Sequence, residues 1–283
     1  MKLVVMGDLH YSDIDETIEG LSDARRAFYQ TFIARFLSID ANLHISLGDL
    51  TNYGYSTEFE GILQELQKKK RDFVHVLGNH DLYAQPRENV LRITEQPRYH
   101  ARTTDQAVFA FLDTAKEMDH KDWGGWIDEE QLRWFERVVR DSGTKPLLVF
   151  AHHPVHATTK RSEMIKGSIH PDIDMWDILG QKEGLGVYFN GHTHIESIEQ
   201  QRNWTFVQLA ACLDEPAFRV VDIQQEDIVV SAVDVCDDDV VKHAPMIYEH
   251  IPHFTHQTDV RGEKQDRECR ISLTSMMDIA RDK

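Results

Sequence analysis

Short apolar runs punctuate the chain, and five of them end alike. Residues 3–6 lead into Gly7-Asp8-Leu9-His10, and residues 43–47 into Gly48-Asp49-Leu50-Thr51-Asn52. Residues 73–77 lead into Gly78-Asn79-His80-Asp81, 146–150 into Ala151-His152-His153-Pro154, and 187–190 into Gly191-His192-Thr193-His194. Each run is brief and rich in β-branched, aromatic or leucine residues, which predicts a strand buried on at least one face. A small residue then lets the backbone turn or approach a neighbour closely, and a side chain able to ligate a metal follows.

Between these runs the apolar period lengthens to that of a helix. Phe28, Phe32, Ile33, Phe36 and Leu37 form one stripe, and Phe59, Ile62, Leu63 and Leu66 another, closed by Lys68-Lys69-Lys70-Arg71. Asp128 and Gln131 read as a capping box that opens a third helix, with Leu132, Phe135 and Val139 on one side. Strands alternating with helices predict an α/β fold, in which ligands collect beyond the carboxyl ends of the strands. Runs around 205–210, 218–223 and 228–235 are expected as an antiparallel finish. The stretch from Asp237-Asp238-Asp239 onward carries His243, His250, His253 and His256 at irregular spacing and is expected as a partly ordered tail rather than a metal tract.

Composition narrows the function classes. The 283 residues are 41% apolar and 28% charged, as in an ordinary globular protein, with a formal net charge of −17. That sign disfavours a broad nucleic-acid footprint or an anionic membrane surface. No apolar run approaches the roughly 18 residues of a membrane span, and the N-terminus lacks a secretory apolar region. Cys212, Cys236 and Cys269 are odd in number and show no CxxC spacing, so neither a disulfide framework nor a thiolate zinc site is indicated. A cytoplasmic setting is the expectation. Histidine is the outlier, with 16 residues.

Asp8 and His10 stand two apart on an extended segment and so leave it on the same face, as do His192 and His194. Asp49 offers two oxygens and can bridge two cations, and Asn79 offers a neutral carbonyl. This mixed oxygen and nitrogen set suits Mn, Fe or Zn better than Ca or Mg.

Asp8-x-His10, Gly48-Asp49, Gly78-Asn79-His80-Asp81, His152 and Gly191-His192-x-His194 together resemble the calcineurin-like metallophosphoesterases, over roughly residues 1–235. Residues 236–283 then form a C-terminal extension. The resemblance implies a four-layer α/β/β/α sandwich, with two mixed β-sheets face to face and helices outside, and a dinuclear centre along one edge. One cation would be held by Asp8, His10, Asp49 and His194. The second would be held by Asp49, Asn79, His152 and His192, with Asp49 shared. It further implies hydrolysis by a hydroxide bridging the ions, with His80 meeting the phosphate or the leaving group and Asp81 a candidate to orient His80. The segments around Phe109-Ala110-Phe111-Leu112-Asp113-Thr114, Gly125-Trp126-Ile127 and Ala151-His152-His153-Pro154 are similar to bacterial class III cyclic-nucleotide phosphodiesterases.

The expected substrate is therefore a small phosphoester, with a cyclic nucleotide as one candidate. Phosphomonoester or phosphoprotein hydrolysis is the near alternative, and a non-catalytic scaffold the remote one. Arginines at 87, 92, 98 and 102 and the basic residues of 158–170 suggest a substrate-facing rim. Arg98, His156 and Lys166 are its candidate contacts, and self-association is left open.

Overall fold

The computed structural model describes residues 1–273. The described residues form twelve strands, the central ones along the apolar runs. In chain order they are β1 (Lys2–Met6), β2 (Leu43–Ser46), β3 (Phe73–His75), β4 (His100–Thr103), β5 (Val108–Phe111) and β6 (Leu147–Phe150). The series continues with β7 (Gly186–Asn190), β8 (Ser197–Gln201), β9 (Trp204–Gln208), β10 (Ala217–Ile223), β11 (Asp227–Asp234) and β12 (Cys269–Ser272). They form two six-stranded mixed sheets, ordered β12-β11-β10-β1-β2-β3 and β4-β5-β6-β7-β9-β8. Strands β1 to β3 run parallel in the first sheet, and β5, β6, β7 and β9 run parallel in the second. Helices α1 (Leu21–Ser38), α2 (Ser56–Gln67), α3 (Arg87–Thr94), α4 (Glu129–Asp141) and α5 (Met175–Leu179) link the strands.

Strand alternation builds the layers. Leu3 and Val5 of β1, Leu148 and Phe150 of β6, and Val187 and Phe189 of β7 point between the sheets. Val4 and Met6 point outward onto Phe28, Phe32 and Phe36 of α1. Leu147, Val149 and Tyr188 point outward beside Phe135 and Val139 of α4. Both faces of each central strand are thus apolar, which explains runs that show no polar alternation. Between the sheets Phe111, Phe150 and Phe189 stack in a ladder, with ring centroids 5.2 and 5.1 Å apart. Each such pair contributes about 0.5–1.5 kcal/mol beyond its buried area. The Asp128 carboxylate accepts from Gln131 N at 2.9 Å, as the capping pattern predicts.

Two differences from the sequence reading concern the C-terminal third. The run expected at 205–210 is β9, which lies in the second sheet parallel to β7, whereas β10 and β11 are antiparallel in the first sheet. The stretch after 235 adds α6 (Asp238–Val241), α7 (Ala244–Tyr248) and β12. Val240, Ala244, Ile247, Ile251 and Phe254 are buried in the apolar layer under α1, and β12 pairs with β11. Residues 274–283 of the expected extension lie outside the described residues. No described helix is long and apolar enough to cross a membrane.

Candidate metal centre

The loops after β1, β2, β3, β6 and β7 meet at one edge of the sandwich. Leu9 N and His10 N both donate to Asp49 O, at 3.0 and 2.9 Å, so the loops after β1 and β2 are zipped together. Tyr29 Oη on α1 donates to His10 O at 2.6 Å. Gly191 is fixed by close approach, since a Cβ there would lie 1.9 Å from Asp8 Oδ1. Gly48 has φ +101°, and a Cβ would strike the His152 ring. His10, Asp49, His192 and His194 adopt positive φ without being glycine. Such backbone costs energy and persists where surrounding contacts over-determine it, often at functional sites.

These turns bring the predicted ligands together. Asp8, His10, Asp49 and His194 form one cluster, and His152 and His192 lie in a second. Asp49 Oδ2 sits 3.2 Å from His152 Nε2 and 4.0 Å from His10 Nε2, between the two groups. Asp8 Oδ2 lies 3.2 Å from His194 Nε2 and accepts from His192 N at 2.8 Å. Asn79 Nδ2 donates to Tyr83 Oη at 2.6 Å, which turns Asn79 Oδ1 inward to 3.0 Å from His152 Nε2.

The partners of the imidazoles assign their tautomers. His152 Nδ1 donates to Leu47 O at 2.9 Å, and His192 Nε2 donates to Lys166 O at 2.8 Å. His194 Nδ1 faces the Asp214 carboxylate at 3.2 Å. The remaining nitrogens face one another: His152 Nε2 is 3.2 Å from His192 Nδ1, and His10 Nε2, whose Nδ1 has no hydrogen-bond partner, is 3.1 Å from His194 Nε2. Asp8 Oδ1 is buried and has no hydrogen-bond partner. Ring nitrogens this close, beside buried carboxylates, call for positive charge between them. The donor set, carboxylate and amide oxygens with imidazole nitrogens, fits a dinuclear metal site.

Electrostatics lead to the same place. Burial opposes charge on His152 and His194, but carboxylates outweigh it. Asp49 and Asp8 push His152 up to about 9, and Asp214 and Asp8 push His194 up to about 10. Burial and neighbouring imidazoles hold His10 well below its ordinary value and His192 down to about 3. One raised imidazole thus stands in each cluster, and a bound cation would displace its proton.

His153 also approaches the second cluster. Its nitrogens meet Thr114 Oγ1 and Trp123 O, both at 2.8 Å, which makes it a buried neutral packing ring rather than a ligand. His80 Nδ1 donates to Asn52 O at 2.7 Å, and the ring lines an open cleft of about 520 Å³ together with Asp49, Asn79, His192 and His194.

Four expectations are corrected. Asp81 does not orient His80. Its buried carboxylate accepts from Thr51 N and Oγ1 and from Gly78 N, at 2.8–2.9 Å, and so fastens the loops after β2 and β3. Arg98 is not at the cleft; it pairs with buried Asp113 at 2.6 Å and with Asp128 at 2.7 Å. Lys166 turns its amine to Lys121 O and over the Trp123 ring, and only its backbone carbonyl touches the centre. His156 faces Ser168 Oγ at 3.2 Å and is not part of the cleft lining.

Sequence reading missed Asp214, whose carboxylate meets both His194 and His256. It also missed the cleft wall formed by His253, Thr255 and Gln257. Phe254 packs against the rings of His10 and His194, with centroids 4.9 and 5.4 Å away. No motif flags these residues, because they arrive from a segment with neither strand period nor glycine turn.

Comparison with known proteins agrees with this geometry. The model of the calcineurin-like phosphoesterase family matches residues 1–196. The glycerophosphodiester phosphodiesterase GpdQ of Enterobacter lignolyticus is 25% identical over 174 residues, covering 59% of this chain and 61% of that protein. A probable cyclic nucleotide phosphodiesterase of Moraxella catarrhalis is 22% identical over 183 residues, covering 59% of this chain and 64% of that protein. The chain thus spans under two thirds of the length of these two relatives. Among solved structures, a dimetal phosphatase from Danio rerio shares the fold with TM-score 0.70 at 14% identity, covering 97% of this chain and 99% of that one.

Proposed function

Because this chain belongs to the calcineurin-like phosphoesterase family, we propose that it is a metal-dependent hydrolase of small phosphodiesters. The observation that carries this reading is the pair of ligand clusters sharing Asp49 Oδ2, with the His80 ring beside them at the floor of an open cleft.

Asp8, His10, Asp49 and His194 would hold one cation, and Asp49, Asn79, His152 and His192 the other. When bound, such a pair acts as a Lewis acid toward phosphoryl oxygens and supplies hydroxide at neutral pH. The chain's own groups do the rest. Asn52 O fixes the His80 ring through Nδ1–H, so that an imidazolium at this position would give its Nε2 proton to the departing oxygen and return to the neutral Nδ1–H form. Tyr83 holds the Asn79 amide in its inward orientation. Asp214 keeps His194 Nδ1 protonated, so that Nε2 faces inward.

A diester has two substituents to place. The cleft lining includes Trp123, Met164 and Ile165 as well as Tyr83 and His253, apolar and aromatic surface for such substituents. The names of the two bacterial relatives support the same substrate class. We take the functional unit to run past residue 235, since Phe254 and Gln257 belong to the site. The test is a panel of diesters and monoesters, including cyclic nucleotides, on protein whose bound Mn, Fe and Zn have been quantified. Diester turnover that exceeds monoester turnover and follows metal content is the expected result. Turnover confined to monoesters would replace the reading with a phosphomonoesterase.

A further inference from the structure

Arg161 stands apart from the other basic side chains near the site. Arg87 and Arg98 pair with Asp113, Arg102 with Asp72 and Lys160 with Asp266. Arg161 is the one Lys or Arg in the cleft lining among the described residues, and it makes no ion pair there. Its hydrogen bonds among the described residues go to two neutral acceptors, both from Nη1: Thr193 O at 3.2 Å and Gln257 Oε1 at 3.4 Å. The Nε–H and both Nη2–H groups have no protein acceptor among the described residues. That side-on edge, two parallel donors on a planar cation, is the geometry that takes a carboxylate or a phosphoryl group in bidentate fashion.

The side chain is also held in place. Arg161 has φ +64°, Met164 N donates to its carbonyl at 3.1 Å, and a Cβ on Gly167 would collide with that carbonyl. Thr193, its first acceptor, lies in sequence between the two ligand histidines. Gln257, its second, is fixed by its own N donating to Asp214 Oδ1 at 3.0 Å. A diester phosphate carries one negative charge, which two divalent cations, offset by Asp8, Asp49 and a hydroxide, would already meet. A third positive centre beside them is therefore matched to further charge on the substrate.

We propose that the Nε/Nη2 edge of Arg161 binds a second anionic group of the substrate, distinct from the phosphate being cleaved. This rests on the phosphodiesterase reading and narrows it to diesters that carry a carboxylate or a second phosphoryl-type group on one substituent.

The test uses full-length protein of known metal content and three unactivated esters: dimethyl phosphate, methyl 2-carboxyethyl phosphate and methyl 2-phosphonoethyl phosphate. Calorimetry reads their Kd whether or not they are cleaved. The charged esters are expected to bind at least about tenfold more tightly than dimethyl phosphate, as one charge-assisted contact allows. The stronger of the two identifies the source of the anion. Arg161→Gln should bring all three within about twofold of one another, and Arg161→Lys should retain part of the difference. Equal Kd values for the three esters, undetectable binding, or a preference that survives in Arg161→Gln overturns the proposal. Failure of the phosphodiesterase reading shows separately, as absent turnover across the panel while the charge preference and its loss in the variant persist.

Discussion

The Asp214 carboxylate faces His194 Nδ1 at 3.2 Å, so a residue outside the family-matched segment sets the tautomer of a predicted metal ligand inside it. Its other oxygen meets His256 Nδ1 at 2.7 Å and Gln257 N at 3.0 Å. One buried acid thus ties the metal centre to the cleft wall. Carboxylates behind a ligating histidine commonly sustain ten- to a hundredfold in metal affinity. Asp214→Ala is expected to weaken one of two cations by about that factor, read by competition with a chelator. Equal weakening of both ions would show that Asp214 acts on the fold and not through His194.

Asp49 and His80 should separate metal binding from turnover. Asp49 Oδ2 lies between the two clusters, so Asp49→Ala should reduce bound metal from two ions per chain to below one. His80 is proposed to hold no metal, and His80→Ala should retain both ions while losing roughly a hundred- to ten-thousandfold in kcat. Metal analysis of the two purified variants, beside their rates, checks both.

Asp81 should behave as a structural residue. With its carboxylate accepting from Thr51 and Gly78, Asp81→Ala leaves buried donors unmet and should destabilise the protein by about 1–3 kcal/mol for each unsatisfied group. The expected signature is a lower Tm and reduced metal content, with the rate per bound metal pair largely kept. A pure loss of kcat at unchanged Tm would restore a catalytic role.

Phe150 sits in the middle of the stacked ladder, one residue before the turn that carries His152. Phe150→Ala should cost about 3–5 kcal/mol in denaturant unfolding, the usual range for removing a buried aromatic ring.

Acid should loosen the C-terminal segment through Asp234. Burial opposes its ionisation, but hydrogen bonds from Arg261 and Arg267 outweigh that and hold it down to about 2. The folded value lies below the unfolded one of about 3.9. Its stabilisation is therefore complete above pH 4 and is lost as pH falls toward 2. The difference in Tm between the protein and Asp234→Asn should be constant from pH 7 to 5 and close as pH drops from 4 to 2. A difference that grew in acid would contradict this sign.

The strand ends and their ligands were legible because each is local: an apolar run, a small residue and a metal-capable side chain within four or five positions. The rim was not. Arg98 and Lys166 have the right charge and the right place in sequence, but whether a long side chain faces a cleft or a neighbour's carboxylate is decided in three dimensions, and Asp113 and Trp123 claimed these two. Arg161, within the same basic segment as Lys166, points into the cleft because a left-handed turn and two neutral acceptors direct it there. Asp214 and Phe254 were hidden for a related reason. Their partners are distant in sequence, and neither carries a local pattern.

The wall at 253–257 comes late in the chain, well after His194 completes the ligand set. During synthesis from the N-terminus, every cation-binding group emerges before the segment that narrows access to them. The proposed ligand groups therefore emerge ahead of the wall, and only the later packing of Phe254 against His10 and His194 completes the site.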